Sequence, residues 1–130
     1  MRIILRLALL CAAATIAGCY TAAPIQNVKD TSVVSPAGKP LSTEQVRLAI
    51  VRAGAGLGWV VTDVRPGVLN AKLLLRTHTA EVEIPYSTST YSITYKSSLN
   101  LDEGNGKIHR NYNGWILNLN RAINAQLAAT

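Results

Sequence analysis

From Trp59 to Leu99 the chain alternates apolar and polar residues in four consecutive runs, each closed by a turn-forming cluster. A period of two sends successive side chains to opposite faces of a strand, so each run offers one face to a core and one to water. The runs are 59–65, 68–76, 78–86 and 91–99. In the second, Leu69, Ala71, Leu73 and Leu75 point one way and Asn70, Lys72 and Arg76 the other. In the third, Ala80, Val82, Ile84 and Tyr86 oppose Glu81 and Glu83. In the fourth, Tyr91, Ile93 and Tyr95 oppose Ser92, Thr94 and Lys96. Arg65-Pro66-Gly67-Val68 fits a type II turn, with proline second and glycine third. Short connections between half-wet strands specify an antiparallel meander.

Helical patterns flank this block. Ser42 and Gln45 have the spacing of a capping box. Val46, Ala49, Ile50, Ala53 and Leu57 then recur at three- and four-residue intervals. Gly54, Gly56 and Gly58 end that helix. Their alternation only superficially resembles a phosphate loop, because it follows a helix instead of opening one. At the other end Asn111 is placed to cap a second helix, with an apolar stripe of Tyr112, Trp115, Ile116, Leu119, Ala122, Ile123 and Leu127. The expected fold is α+β: helix, four-stranded antiparallel meander, C-terminal helix, with both helices on one sheet face. Trp59 and Trp115 are expected in or beside the core.

The first 18 residues read differently. Arg2 and Arg6 precede an apolar run from Leu7 to Ala17, about half the roughly 20 residues a membrane span needs. A basic start, an apolar middle and small residues before a cleavage point make a secretory signal peptide. Here the final residues are Ile16-Ala17-Gly18-Cys19. The pattern resembles the lipobox of bacterial lipoproteins. The resemblance implies cleavage before Cys19, a diacylglyceryl group on its thiol and usually an acyl group on its amine. The alternative is a cleaved secretory signal with a free cysteine. Tyr20, and not an aspartate, follows Cys19. By the enterobacterial sorting rule that resemblance implies the outer membrane, at its periplasmic face.

The lipobox reading also bounds the chemistry. The two cysteines are Cys11 and Cys19. The first leaves with the signal and the second is blocked by lipid, so nucleophilic thiols, disulfides and cysteine metal sites are excluded. Cleavage leaves residues 19–130 and lowers the formal charge from +6 to +4. That modest excess suits anionic lipid, peptidoglycan or lipopolysaccharide, and equally suits plain solubility. Nucleic acid is not an expected partner of an exported domain. Residues 20–40, rich in Thr, Ala, Ser and Pro, read as a flexible tether, with a weak strand signal at Ser32-Val33-Val34. The expected organisation is a signal at 1–18, a lipidated tether at 19–40 and one domain at 41–130.

The segments Tyr91-Ser92-Ile93-Thr94-Tyr95, Ser98-Leu99-Asn100-Leu101 and Ile108 to Leu119 (Ile-His-Arg-Asn-Tyr-Asn-Gly-Trp-Ile-Leu-Asn-Leu) resemble a group of small proteobacterial lipoproteins. A central Arg-x-His, here Arg76-Thr77-His78, belongs to the same resemblance. It spans about 59–123. It implies a lipoprotein and brings no agreed biochemical activity, catalytic residue or cofactor.

Residues with chemistry to offer are few. His78 and His109 are the two histidines, and no close metal-ligand spacing surrounds them. No nucleophile elbow frames any serine. Glu81 and Glu83 share a strand face, where the simplest reading sets them against Lys72 or Lys96 across the sheet. Tyr91, Tyr95 and Tyr112, with Arg76, His78, His109 and Arg110, could line a small polar-aromatic cleft at the sheet end. The same tyrosines could instead close the core. The asparagines at 111, 113, 118, 120 and 124 offer a polar face on the last helix. Two readings follow. The first is a non-enzymatic envelope lipoprotein that binds an envelope protein or peptidoglycan, without cofactor or metal. The second is a small-ligand-binding module built on the Tyr/Arg/His cleft.

Overall fold

The computed structural model describes residues 21–36 and 38–130. Cys19 and the signal segment lie outside the described residues. The elements run β1 (Ala22–Pro24), β2 (Val28–Ser32), α1 (Thr43–Gly56), β3 (Val60–Arg65), β4 (Val68–Leu75), β5 (His78–Pro85), β6 (Thr90–Leu99), β7 (Lys107–His109) and α2 (Asn111–Ala128). Among the described residues the fold is α+β, with two helices, a five-stranded antiparallel sheet of order β2-β6-β5-β4-β3 and a two-stranded ribbon, β1-β7.

The alternating runs pack as their period requires. Leu69, Ala71, Leu73, Ala80, Val82, Ile84, Tyr91 and Ile93 are buried. They share one core with Val46, Ala49, Ile50 and Ala53 of α1 and Ile116, Leu119, Ile123 and Leu127 of α2. Trp59 is buried beside them and Trp115 packs at the core's edge. The opposite sheet face is wet, with Lys72 and Lys96 exposed. Leu75 keeps the phase of Leu73 but is exposed where β4 ends, and Tyr86 is half-buried.

The main correction concerns 19–40. The described residues of that segment hold two strands instead of a free tether, and the folded unit includes residues from Ala22 on, well before residue 41. β2 makes the sheet five-stranded by pairing with β6, Val28 opposite Ile93 and Ser32 opposite Thr90. Its sequence, Val-Lys-Asp-Thr-Ser, has no alternation to read. It is an edge strand, joined by backbone hydrogen bonds more than by a buried side-chain face. A bulge also breaks its register: Asp30 takes φ +48° and its amide donates to Ser92 Oγ at 2.9 Å. Edge strands are often short, charged and bulged in this way.

A second bulge lies in β6. Glu81 opposes Ser97 while Val82 opposes Tyr95, so Lys96 is the extra residue. The face assignment reverses there. Tyr95 and Ser98 both turn inward, their hydroxyls 2.9 Å apart, and Lys96 and Ser97 both reach Glu81.

Both helix starts are informative. Ser42 and Gln45 form the reciprocal capping box. Leu57, expected on the apolar stripe, is the C-cap of α1 and is exposed. Just before it, Gly54 lies so close to β3 that a Cβ would stand 2.5 Å from Val61 Cγ2. Asn111 does not cap α2 but is its first residue, and Arg110 holds the cap position without a side-chain bond. The orphan amide of Asn111 is met by His109 Nδ1 at 3.2 Å.

Candidate functional site

The seven residues expected around a cleft divide between the core and one end of the molecule. Tyr91 is buried under α2. Its hydroxyl donates toward the side-chain oxygens of Asn120 and Asn124, 2.9 Å from the latter. Burial pushes its pKa up to about 12, against the opposing effect of a hydrogen bond with Thr31. Tyr112 is fully buried, and its ring meets Tyr95 edge-on with centroids 5.6 Å apart. Its hydroxyl finds no partner among the described residues, and burial raises its pKa, with Tyr95 adding to the shift. A phenol held neutral within a core packs as an aromatic side chain. Tyr91 and Tyr112 therefore belong to the core and not to an open cleft.

The other members collect at one end of the sheet. His78 opens β5, and its Nδ1 donates to the Asn100 carbonyl at 2.7 Å. Asn100 Nδ2 donates in turn to the Thr77 carbonyl at 2.7 Å, tying the β4–β5 turn to the end of β6. Arg76 sits in that turn with φ +57° and is exposed. The next carbonyl, Leu101, accepts from the His109 amide at 2.8 Å. Arg110 follows, exposed, and its amide donates to the Thr21 carbonyl at 2.8 Å. The histidines thus grip consecutive residues, His78 by its ring and His109 by its backbone. Each ring is engaged in local structure: one donates to a strand end, the other accepts from a helix start.

The asparagines of α2 also hold the molecule together. Asn113 accepts from the Gln26 amide at 3.1 Å and donates to the Pro24 carbonyl at 2.9 Å. Asn120 and Asn124 take the Tyr91 hydroxyl. In these three places the expected polar face bonds to the N-terminal segment and to β6.

Two features were not legible beforehand. Arg47 makes a two-pronged pair with Asp63, Nε to Oδ1 at 2.8 Å and Nη2 to Oδ2 at 2.6 Å, with Glu44 at 3.3 Å. The hydrogen bond to Asp63 raises the Arg47 pKa, and the same bond holds the Asp63 carboxyl below its usual range. The pair floors an open groove of about 500 Å³ beside Tyr86 and Pro66. It joins α1 to β3 across 16 residues, and a spacing of that kind carries no motif. The second feature is a groove of about 380 Å³ between Thr31, Val34, Asn124 and Leu127, between the β2 segment and the end of α2. It needs the N-terminal strand, whose residues carry no alternation in the sequence.

Among the described residues no three or more His, Cys, Asp or Glu side chains gather as a metal site. Among them, too, no helix is long and apolar enough to cross a membrane. Comparison with family models, curated proteins and solved structures returned no match.

Proposed function

We propose that the chain is a bacterial envelope lipoprotein, held at the periplasmic face of the outer membrane by lipid on Cys19. Its folded domain is a non-catalytic module that binds an envelope protein or peptidoglycan. The observation that carries this reading is the Ile16-Ala17-Gly18-Cys19 signature, placed with Tyr20 alone between it and the first described residue of the domain. The engagement of both histidines and of Tyr91 in structural hydrogen bonds favours a binding role over catalysis. We read the domain core as a helix, a four-stranded meander and a C-terminal helix with both helices on one face, to which the N-terminal segment adds an edge strand.

The test is acyl labelling in cells. The wild-type chain is expected to incorporate a fatty-acid probe and to sediment with outer-membrane vesicles. Cys19→Ser should lose the label and appear in the soluble periplasmic fraction. Membrane retention of the Cys19→Ser chain would overturn the reading. Photocrosslinking from the Val34–Leu127 groove of the anchored chain should then capture one reproducible envelope component.

A further inference from the structure

Eight large apolar side chains are exposed among the described residues, and five of them stand at one end of the molecule. Hydrogen bonds and register define that end. The β4–β5 turn is tied to the end of β6 by Asn100, Leu101 is tied to His109, and Arg110 to Thr21. On the wet sheet face, Leu74 and Leu99 both oppose Thr79. With adjacent strands ~4.8 Å apart, the two leucines flank Thr79 at a separation of roughly 10 Å. Val60 opposes Lys72, the neighbour of Leu74 on that face. Leu75 ends β4, and Leu57 caps α1 one residue before Gly58, which lies over Leu73. Leu74, Leu99 and Val60 are 69%, 66% and 65% exposed, where a scattered surface leucine would call for no account but a cluster does. Charge at this end is modestly positive, with Lys72, Arg76, Lys107 and Arg110 against Asp102 and Glu103. The end therefore offers a surface that is at once apolar and cationic.

The chain outside the described residues decides the occupant. Cys19 precedes Thr21 by two residues, which span at most about 7 Å when fully extended. Lipid on Cys19 therefore holds this end, and no other, against the headgroups. We propose that the Leu74–Leu99 end is a lipid-docking face. It lies in the headgroup–acyl boundary of the membrane that receives the anchor, with Arg76 and Arg110 reaching the phosphates. The domain then has one fixed orientation instead of swinging on a leash. This inference rests on the lipidation of Cys19. It leaves the β5–β6 turn and the Val34–Leu127 groove facing away from the bilayer.

The acylated mature chain carries no free thiol, so single labels can be placed on it. Leu74→Cys, Leu99→Cys and, at the far end, Thr88→Cys would carry a nitroxide in vesicles of phosphatidylethanolamine and phosphatidylglycerol. Collision with oxygen, which dissolves in lipid, is then compared with collision with a water-soluble nickel chelate. The expected oxygen-to-nickel ratio at 74 and 99 is at least several-fold that at 88. Equal ratios on a chain whose acylation is verified by mass spectrometry would overturn the docking face and leave the lipoprotein reading intact. Absence of the acyl group would overturn both. Protection that disappears when protein is diluted in lipid would assign the face to a second copy of the chain and also overturn the proposal.

Discussion

The Arg110 amide donates to the Thr21 carbonyl at 2.8 Å, fastening the segment that leads into β1 to the start of α2. Around this bond β1 pairs with β7, Ala22 opposite His109 and Pro24 opposite Lys107. A lipid anchor two residues upstream would thus pull on a ribbon stitched to α2 and not on loose chain. That arrangement has consequences for stability as well as for orientation.

Asn113 is the side chain that closes the stitch, with one bond from the Gln26 amide and one to the Pro24 carbonyl. Asn113→Ala removes both while leaving the helix intact. The expected loss is about 1–3 kcal/mol, from two hydrogen bonds at about 1 kcal/mol each and partial exposure of the freed backbone groups. Chemical denaturation of the two chains measures it. An unchanged midpoint would mean that the N-terminal segment contributes nothing to the folded unit.

Gly54 and Gly56, two residues apart in α1, should respond with opposite signs to alanine. At Gly54 the new methyl would meet Val61 Cγ2, so the Val61 side chain or the helix–strand spacing must give, and the cost is about 1–3 kcal/mol. At Gly56 nothing lies within 4 Å, so alanine should be neutral or stabilise by up to about 1 kcal/mol through helix propensity. Thermal melts of the two variants, read side by side, give the comparison. Equal effects at both sites would contradict the close approach of α1 to β3.

Those contrasts show which parts of the fold a sequence can express. Leu69, Ala71, Leu73, Ala80, Val82 and Ile84 announce themselves because burial of one face leaves a period of two in the residues. The Ser42–Gln45 box is legible for a similar reason, since both bonds are local. β2 is not, because an edge strand needs backbone partners on β6 more than a particular side-chain pattern. The Lys96 bulge is silent too: one extra residue reverses the faces beyond it without altering composition. The site suffered from the same gap. Placing His78, Arg76, His109 and Arg110 near one sheet end follows from the order of strands and turns. Assigning Tyr91 and Tyr112 to a cleft fails because a tyrosine on an alternating face serves a core as well as a surface. Their depth is set by α2, whose packing lies far from them in sequence.

The bulge makes a pH prediction. Burial alone would raise the Glu81 carboxyl, but hydrogen bonds from Ser97, Asn70 and Lys96 and the charge of Lys96 outweigh it and hold the pKa below its ordinary value. A depressed folded-state pKa contributes stability above the unfolded value and loses it as pH falls through the folded one. Wild type should therefore exceed Glu81→Gln in stability at neutral pH, with the gap narrowing below about pH 4.5 as the carboxyl protonates. Denaturation midpoints from pH 7 to pH 3 track the gap. A difference that stays constant across that range would deny the carboxylate its role.

Tyr91 and Tyr112 offer the sharpest contrast, because two buried phenols differ in whether the hydroxyl is met. Tyr91→Phe strips Asn120 and Asn124 of a donor beneath α2 and should cost about 1–2 kcal/mol. Tyr112→Phe removes a hydroxyl that has no partner among the described residues, so the desolvation it imposes on the folded state disappears with it. The ring, and its edge-on contact with Tyr95, stay in place. The second variant should be neutral or more stable by up to about 1 kcal/mol. Double-variant additivity separates the two sites, since each hydroxyl acts on a different neighbourhood. A Tyr112→Phe loss as large as that of Tyr91→Phe would show that the Tyr112 hydroxyl is held by a partner in solution. That end of the core would then be a polar pocket instead of a packed aromatic pair.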